Sequence, residues 1–560
     1  MLLLAACSDL FGPDREPYEI AGGNGQAGVV GAELASPLVL RVHDRKGRPV
    51  EGVVVDWRVE FGEGTVSPVT SATGRDGRAT TRWTLGAIAG QHRVSAVVEG
   101  RVVATFVAHA RPGAAASVRF EADTLYLFVA DTTTPRLSVF DRYGNAVRDR
   151  PVGLSSAHPG VVGVADDGRV VGRSVGVTRL TARVEGAETE VTAVVQGWAM
   201  ISAGAWHTCG ITTAGRTYCW GGIGGGEVGH PSVTLSRRPA QVATDLVFAT
   251  ISAGDRHTCA LTADGEAYCW GQNRYGQLGD GTAGGSLMPV QVQGGHRFTA
   301  ISAGADYTCG LTADGAALCW GRGDAGQLGH GVLASSPAPV RADVASRLVS
   351  IHARGEQSCG LAEDGVAYCW GAIYESGDLS SGAFADLVIT PTPKPVASEL
   401  RFSALTAERF HACGLGPAGA LHCWGDNSFG QLGDGSFTGS TVPVPVKGAP
   451  LLTTVSAGSF HTCGLTPSGT AYCWGFNEWG QLGTEETPDE CTSQKFRCSN
   501  QPVPVATDRQ FSRISSGYTH TCAVTSEGVA YCWGHNYYGQ LGAGTRRWYY
   551  REPVRVGGPG

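Results

Sequence analysis

Apolar residues alternate with polar ones in short runs along this chain, as in residues 93–98 and 181–184. Alternation with a period of two is typical of β-strands that bury one face. The 82 glycines and 27 prolines interrupt the sequence too often for long helices. No apolar run reaches the length of about 18 residues that a membrane-spanning helix needs. The pattern therefore predicts an all-β protein with many turns.

The charge of the chain is modest and evenly spread. It carries 43 basic and 50 acidic residues, a formal net charge of −7 over 560 residues, without any block of like charge. This distribution argues against a nucleic-acid partner and against direct binding to an anionic membrane. No serine-hydrolase elbow, zinc-protease motif, phosphate-binding glycine loop or recurrent acid pair is present. The sequence therefore favours a non-catalytic protein without a cofactor.

Fourteen of the 17 cysteines form seven pairs with the same internal spacing. The pairs are Cys209 with Cys219, Cys259 with Cys269, Cys309 with Cys319, Cys359 with Cys369, Cys413 with Cys423, Cys463 with Cys473, and Cys522 with Cys532. The first cysteines of successive pairs lie 50, 50, 50, 54, 50 and 59 residues apart. A repeat of about 50 residues is typical of β-propellers, so seven copies predict seven blades.

The residues around each pair predict how its two strands meet. Each pair is symmetric about one residue, and glycine follows that midpoint in all seven copies, as at Gly265. This spacing fits a three-residue hairpin loop closed by a left-handed glycine. The resulting register places Cys259 directly opposite Cys269, which predicts a cross-strand disulfide in every blade. A further disulfide is predicted between Cys491 and Cys498.

Metal binding is the alternative for these cysteines, because histidine stands two residues before the first cysteine in five copies. In the other two copies that position holds Tyr307 and Gln357, while both cysteines are kept. A ligand role does not survive these exceptions, so no metal site is predicted. We expect the histidines to be packed and hydrogen-bonded within the blades; they are His207, His257, His411, His461 and His520.

One repeat reads Ile251-Ser252-Ala253-Gly254-Asp255-Arg256-His257-Thr258-Cys259, then Tyr268-Cys269-Trp270-Gly271, then Gly276-Gln277-Leu278-Gly279. Cys-Trp-Gly recurs seven times and Gly-Gln-Leu-Gly five times. These motifs resemble the repeat of the regulator of chromosome condensation family, and the resemblance covers residues 197–556. It implies a seven-bladed propeller that binds proteins with one face. Two copies depart from the motif, at residues 226–229 and at Gly377-Asp378-Leu379-Ser380, which puts the geometry of the second of these loops in question.

Two cysteine-free segments precede the repeats and share a pattern. The motif V-x-D-R-x-G-x-x-V occurs at residues 42–50 and again at 139–147, and Asp-Gly-Arg follows later in both segments. The segments resemble bacterial Ig-like domains, the first of the invasin/intimin type, and the resemblance implies spacer or stalk modules. The expected fold is therefore two Ig-like β-sandwiches, at residues 17–110 and 117–196, followed by the propeller. Residues 111–116 are the expected linker.

The unpaired cysteine, Cys7, lies in Leu4-Ala5-Ala6-Cys7, which resembles the lipobox of bacterial lipoproteins. The resemblance implies that Cys7 is lipidated and that residues 1–16 are a truncated signal and tether. The alternative is a plain apolar terminus, because six residues are short for a signal sequence. Sixteen paired cysteines require an oxidising compartment. We therefore expect a lipid anchor in the bacterial cell envelope or at its surface; secretion from a eukaryotic cell is the alternative.

Comparing the seven copies with one another separates scaffold from surface. The residue before the histidine position differs in every blade except for a repeated phenylalanine, which indicates an exposed loop. The candidate partner-binding residues there are Trp206, Arg256, Asp306, Glu356, Phe410 and Phe460, with Thr519 in the last copy and Tyr518 beside it. Aromatic and arginine side chains on one rigid face are typical of protein-interface hot spots. Some of these rings could instead pack against the neighbouring blade.

The sequence therefore predicts an envelope-anchored, non-catalytic and monomeric protein whose propeller binds a protein or a glycan. The alternatives are a secreted enzyme inhibitor similar to the β-lactamase-inhibitor propellers, a lyase-like propeller enzyme with an acid-lined channel, and a guanine-nucleotide exchange factor. The disulfides argue against the last of these.

Ring closure is a separate expectation. A strand such as residues 289–292 is predicted to follow one repeat and enter the next blade. The terminal segment Pro553-Val554-Arg555-Val556 is then expected to pair beside residues 200–203 and close the ring, leaving 557–560 as a tail.

Overall fold

The structure is a computed structural model that describes residues 17–233, 235–374, 387–396, 399–491 and 495–558. Cys7 and the loop Gly377–Ser380 lie outside these ranges, so the expectations for them stay predictions. The described chain consists of strands and turns with one short 3₁₀ helix, which confirms the all-β class. No helix within it is long and apolar enough to span a membrane.

The first unit packs two mainly antiparallel sheets around one core. Their strand orders are β1-β3-β7-β5 and β2-β9-β8-β4-β6. The buried rings of Trp57, Trp83 and Phe106 lie in this core. The strands are β1 (Tyr18–Gly22), β2 (Gln26–Val29), β3 (Leu38–Val42), β4 (Val54–Phe61), β5 (Thr65–Ser67), β6 (Thr70–Ala72), β7 (Arg78–Thr84), β8 (Gly90–Val98) and β9 (Arg101–Arg111).

The second unit contains three smaller sheets with strand orders β10-β13, β11-β18-β17-β14 and β12-β16-β15. Residues 112–114 separate it from β9, and Gly113 N donates to Asp141 Oδ2 at 2.9 Å. The Ig-like identity of both units stays a prediction. The strands are β10 (Ala115–Phe120), β11 (Thr124–Phe128), β12 (Thr132–Thr133), β13 (Leu137–Asp141), β14 (Gly153–Ser156), β15 (Val162–Val164), β16 (Val170–Gly172), β17 (Gly176–Val184) and β18 (Ala187–Gln196).

Seven antiparallel sheets follow, which confirms the predicted seven-bladed propeller. Each of the first four blades takes four consecutive strands. Blade one has β19 (Trp198–Ala203), β20 (His207–Thr212), β21 (Thr217–Gly221) and β22 (Ser236–Gln241); blade two has β23 (Phe248–Ala253), β24 (His257–Thr262), β25 (Ala267–Gly271) and β26 (Ser286–Gln291); blade three has β27 (Phe298–Ala303), β28 (Tyr307–Thr312), β29 (Ala317–Gly321) and β30 (Ser336–Arg341); blade four has β31 (Leu348–Arg354), β32 (Gln357–Ala362), β33 (Ala367–Tyr374) and β34 (Leu387–Pro395).

The remaining three blades follow the same order, with one addition. Blade six carries a fifth strand on its outer edge. Blade five has β35 (Ala404–Ala407), β36 (His411–Leu415), the 3₁₀ turn Pro417–Gly419, β37 (Leu421–Gly425) and β38 (Ser440–Pro445); blade six has β39 (Thr454–Ala457), β40 (His461–Leu465), β41 (Ala471–Phe476), β42 (Asp489–Cys491) and β43 (Phe496–Pro504); blade seven has β44 (Phe511–Ser516), β45 (His520–Thr525), β46 (Ala530–His535) and β47 (Tyr549–Arg555).

The hairpin between the second and third strands has the register that the cysteine spacing predicts. In blade two, Cys259 lies opposite Cys269, and Gly265 closes the loop with a φ of 77°. A side chain at this φ would be strained, which explains glycine in all seven copies. The register therefore brings the two cysteines of each blade within reach of one another.

The structure joins the two cysteines of every blade by a disulfide, with Cα atoms 4.0–4.1 Å apart in each pair. From blade one to blade seven the bonds are Cys209 to Cys219, Cys259 to Cys269, Cys309 to Cys319, Cys359 to Cys369, Cys413 to Cys423, Cys463 to Cys473, and Cys522 to Cys532. Cys491 and Cys498 are also joined, between β42 and β43. The pairing in the structure is therefore the same as the pairing that the sequence predicts.

Removing one blade disulfide tests its contribution to stability. The substitution pair Cys259→Ala/Cys269→Ala is expected to lower the free energy of unfolding by about 3 kcal/mol, because the short closed loop no longer restricts the unfolded chain. The denaturant midpoint of the propeller transition measures this. A midpoint equal to that of the wild type, with a matching slope, would show that the crosslink contributes nothing.

The Trp-Gly and Gly-Gln-Leu-Gly motifs join neighbouring blades. The indole N–H of Trp320 in blade three donates to Gln277 O of blade two at 3.0 Å. Leu278 packs in the same buried cluster as Trp320. The tryptophans of six blades make this same contact with the preceding blade, which explains why the motifs recur.

The repeat histidines bridge blades instead of bonding within them, so that expectation was wrong. His257 Nε2 lies 2.8 Å from Thr308 Oγ1 of blade three. Because the Thr308 hydroxyl donates its one proton to Gln277 O at 2.9 Å, it must accept from the histidine N–H. The same pairing joins His207, His411, His461 and His520 to a threonine of the following blade. Burial lowers the pKa of all five histidines to about 3, so they are neutral.

The expected exchange of strands between blades is also wrong. Val290 in β26 lies opposite Cys269, so the fourth strand completes its own blade. Likewise β47 pairs with β46 and not with residues 200–203. A sequence repeat has no defined first residue. It therefore could not show whether the strand that follows the long connection of residues 272–285 belongs to the same blade or to the next one. The ring closes through packing, in which Thr208 Oγ1 donates to Gln540 O at 2.8 Å and Val556 lies in one cluster with Trp198.

The second unit is docked on blades one and seven. Arg555 of β47 pairs with Asp131 at 2.5 Å and donates to the carbonyl oxygen of Val129 at 2.8 Å. Phe128 packs on Trp198 with ring centroids 5.1 Å apart. These contacts fix the unit against the propeller.

Candidate binding face of the propeller

Two sets of loops meet at one end of the propeller. A short loop joins the first and second strands of each blade, and a longer loop joins the third and fourth, as at residues 254–256 and 272–285 of blade two. In an up-and-down sheet both loops lie at the same end. We call this end the loop face. It carries all the candidate partner-binding residues of the sequence analysis.

Glycine opens the short loop in five blades because the next blade is close. A Cβ on Gly254 would lie 2.4 Å from Gly304 O of blade three. Blades four and five have Arg354 and Glu408 at this position, and the two side chains form an ion pair at 3.6 Å. Arg354 Nη1 also donates to Ala253 O of blade two at 2.7 Å. The two blades that lack this glycine therefore place side chains of opposite charge beside each other.

A second carboxyl group, that of Asp255, lies close enough to this ion pair to be affected by the charges of both Glu408 and Arg354. Burial, and then the charge of Glu408, raise the pKa of Asp255 to about 7. Burial also raises the pKa of Glu408 itself. However, Glu408 Oε2 accepts from Arg409 N at 2.9 Å and from the Ser459 hydroxyl at 3.2 Å. Because Arg354 engages its other oxygen, both carboxylate oxygens of Glu408 are held by neighbouring residues of the ring.

The aromatic candidates form one half of the loop face. Phe410 stacks on Phe460 at 5.1 Å, Phe460 contacts Tyr518 edge-on at 5.2 Å, and Tyr518 contacts Trp206 at 5.4 Å between ring centroids. All four rings are half-buried. They therefore pack in part against neighbouring blades, which was the alternative to full exposure. Thr519 is buried, and Tyr518 supplies the ring in blade seven. We call these four rings the aromatic arc.

The charged candidates form the other half. Glu356 pairs with Arg322 at 2.6 Å, and Asp306 accepts from Gln277 Nε2 at 3.3 Å. Burial raises the pKa of Asp306. Arg256 is exposed. The structure therefore brings the seven candidates onto one face but sorts them by chemistry into an aromatic half and an ionic half.

A second group of aromatic residues lies farther out on blades six and seven, and the sequence analysis missed it. Trp479, His535, Tyr537, Trp548 and Tyr549 contact one another in series at 5.2–6.4 Å between centroids. We call these five residues the rim patch. The run Arg546-Arg547-Trp548-Tyr549-Tyr550-Arg551 could have revealed it, because no other blade has such a run leading into its fourth strand.

Across the described ranges no group of three His, Cys, Asp or Glu side chains is arranged to hold a metal ion.

Three solved structures are similar to the propeller. Yeast RCC1 (Prp20) bound to Kap60 matches at 20% identity over 61% of this chain and 83% of that chain, with a TM-score of 0.53. Prp20p from Saccharomyces cerevisiae matches at 20% identity over 61% and 85%, and human WBSCR16 at 22% over 61% and 94%, both with a TM-score of 0.53. At these identities the likeness shows the fold alone.

The family comparison identifies the repeats themselves. The regulator of chromosome condensation (RCC1) repeat matches at residues 248–277, 298–327, 452–481 and 511–540, and in a second form at 264–311, 314–361, 418–465, 468–524 and 527–560. The matched segments contain blades two and three and most of blades five to seven, together with their Trp-Gly and Gly-Gln-Leu-Gly motifs. The propeller of this chain therefore contains regulator of chromosome condensation repeats.

Proposed function

We propose that this protein is a non-catalytic binding protein of the cell envelope or cell surface, and that its loop face engages a partner protein. The aromatic arc is the observation that carries the proposal. Its four rings are held by one another, so they lose little conformational freedom on binding, and Trp, Tyr and Arg dominate hot spots of protein interfaces. Phe410 and Trp206 lie at opposite ends of the arc.

The similar structures support a protein partner over a small molecule. Yeast RCC1 was solved with Kap60, and Prp20p was studied for its binding to Gsp1p and histones. Both oxygens of Glu408 are held by neighbouring residues, which favours a structural role for this carboxylate over a catalytic one. The disulfides support an oxidising compartment, and Cys7 supplies the proposed lipid anchor.

A triple substitution tests the proposal. Trp206→Ala/Phe410→Ala/Phe460→Ala in the full chain is expected to weaken partner binding about 100-fold, since each hot-spot truncation costs more than about 1 kcal/mol. Cross-linking on cells followed by quantitative mass spectrometry would identify proteins retained by the wild type and lost by the variant. A single charge reversal at the exposed Arg256 tests the same face with less risk to folding.

The matched control is Asp264→Ala/Glu363→Ala/Ser468→Ala, three exposed positions in hairpin loops at the opposite end of the blades. This variant should retain the same proteins as the wild type. If the aromatic variant folds and also retains them, the loop face is not the binding surface.

A further inference from the structure

The rim patch is unusual because it exposes tryptophan. The chain has 13 tryptophans, and only Trp479 and Trp548 are exposed, at 36% and 63%. Tyr537, between them, is 51% exposed. These side chains come from the long loops of blades six and seven, which are separate in sequence. A convergence of exposed rings on a surface that otherwise buries them indicates a binding function.

Backbone contacts hold the patch in place. Arg551 donates from Nη1 to Asn477 O and from Nη2 to Glu478 O, both at 3.1 Å, which ties β47 to the loop of blade six that bears Trp479. Asn536 Nδ2 donates to Arg547 O at 2.7 Å and Asn536 N donates to Trp548 O at 2.6 Å. The rings are therefore preorganised, which lowers the entropy cost of binding.

The part of the patch that blade seven contributes is basic, unlike the chain as a whole. Residues 544–556 contain four arginines and one acid, whereas the chain carries a formal net charge of −7. Arg546 and Arg547 are exposed, and no carboxylate of the described residues forms an ion pair with either. Guanidinium groups without a carboxylate partner, beside exposed rings, favour a ligand that offers carboxylates next to apolar side chains.

We propose that the rim patch, together with Arg546 and Arg547, binds an acidic peptide segment of the partner protein. This inference rests on the proposed function, and it adds the chemistry of the ligand. The carboxylates pair with the two arginines, and apolar side chains of the segment lie on Trp548 and Tyr537. Tyr538 contacts both Tyr537 and Trp206, at 5.0 and 5.4 Å, so the rim patch continues into the aromatic arc.

Selection from a random phage-displayed peptide library on the full chain tests the inference. The selected peptides are expected to be enriched in Asp and Glu beside apolar residues. Trp548→Ala, and separately Arg546→Glu/Arg547→Glu, should each weaken their affinity by about tenfold or more. The matched controls are Phe61→Ala, a ring 53% exposed in the first unit, and Arg45→Glu/Lys46→Glu, an exposed basic pair there. Both controls should bind like the wild type.

Three results would overturn the inference: no peptide above background, peptides without acidic residues, or affinities unchanged in both rim variants. Binding of polygalacturonate in place of peptides, lost in the same variants, would assign the patch to an acidic glycan. The aromatic-arc variant distinguishes the two proposals. If it loses the cellular partner while the rim variants keep it, only the peptide inference fails.

Discussion

A chain that ends at Trp548 is expected to lose blade seven as a folded unit. This truncation removes β47, leaves the buried strand β46 as an open edge, and takes away the side chains of Val554 and Val556 from the cluster that joins blade seven to blade one. It also removes Arg555, which pairs with Asp131 of the second unit. Lost apolar burial and ladder hydrogen bonds together should cost on the order of 5 kcal/mol or more.

Calorimetry and size-exclusion chromatography measure this loss as a lower melting temperature and as self-association through the open edge. The control is a chain that ends at Gly558, which keeps β47 and Val556 and should melt like the full chain. Equal melting of the two truncated chains would show that β47 does not hold the ring together.

The sequence could predict the blades because their defining contacts are local. The turn at Gly265 and the pairing of Cys259 with Cys269 lie within 11 residues, and the spacing alone sets the register. The partner of β26 is set by a longer connection, so the repeat could be divided in more than one way. Only the pairing of strands in the structure shows where one blade ends and the next begins.

The candidate face was predicted in part for a similar reason. Comparison of the copies found the variable positions, but it could not tell which rings would pack on each other, as Phe410 and Phe460 do. The sequence shows Arg354 and Glu408 where the other blades have glycine, but only the structure shows that these two side chains form an ion pair. The rim patch combines loops of two blades, so no single repeat contains its pattern.

Acid is expected to destabilise the propeller through its histidines. Burial holds the pKa of each of the five bridging histidines at about 3, whereas an unfolded histidine has a pKa of about 6.5. Between these values the unfolded chain binds more protons than the folded one. The free energy of unfolding therefore falls as pH falls from about 6.5 towards 3, by about 1.4 kcal/mol per pH unit for each histidine.

The carboxyl groups of Asp255 and Glu408 act in the opposite direction. Burial raises the pKa of both, to about 7 for Asp255, so the folded state binds more protons than the unfolded state above the ordinary carboxyl pKa of about 4. Their contribution to stability is present at low pH and is lost as pH rises through the folded pKa. Burial also lowers the pKa of His352 and His535 to about 4 and raises the pKa of Glu227, Asp306 and Asp426. Seven histidines outnumber five carboxyls, so the melting temperature should still fall below about pH 6.

The chain itself suggests the variant that tests this. Blade four has the buried Gln357 where blade two has His257, so His257→Gln introduces a side chain that this fold already accepts. Melting temperatures between pH 4 and 8 should show a lower acid sensitivity in this variant, because one histidine no longer takes up a proton on unfolding. His109→Gln, at an exposed position of the first unit, is the control and should keep the wild-type slope. An unchanged slope in His257→Gln would mean that the buried ring of histidines does not control the acid stability of the propeller.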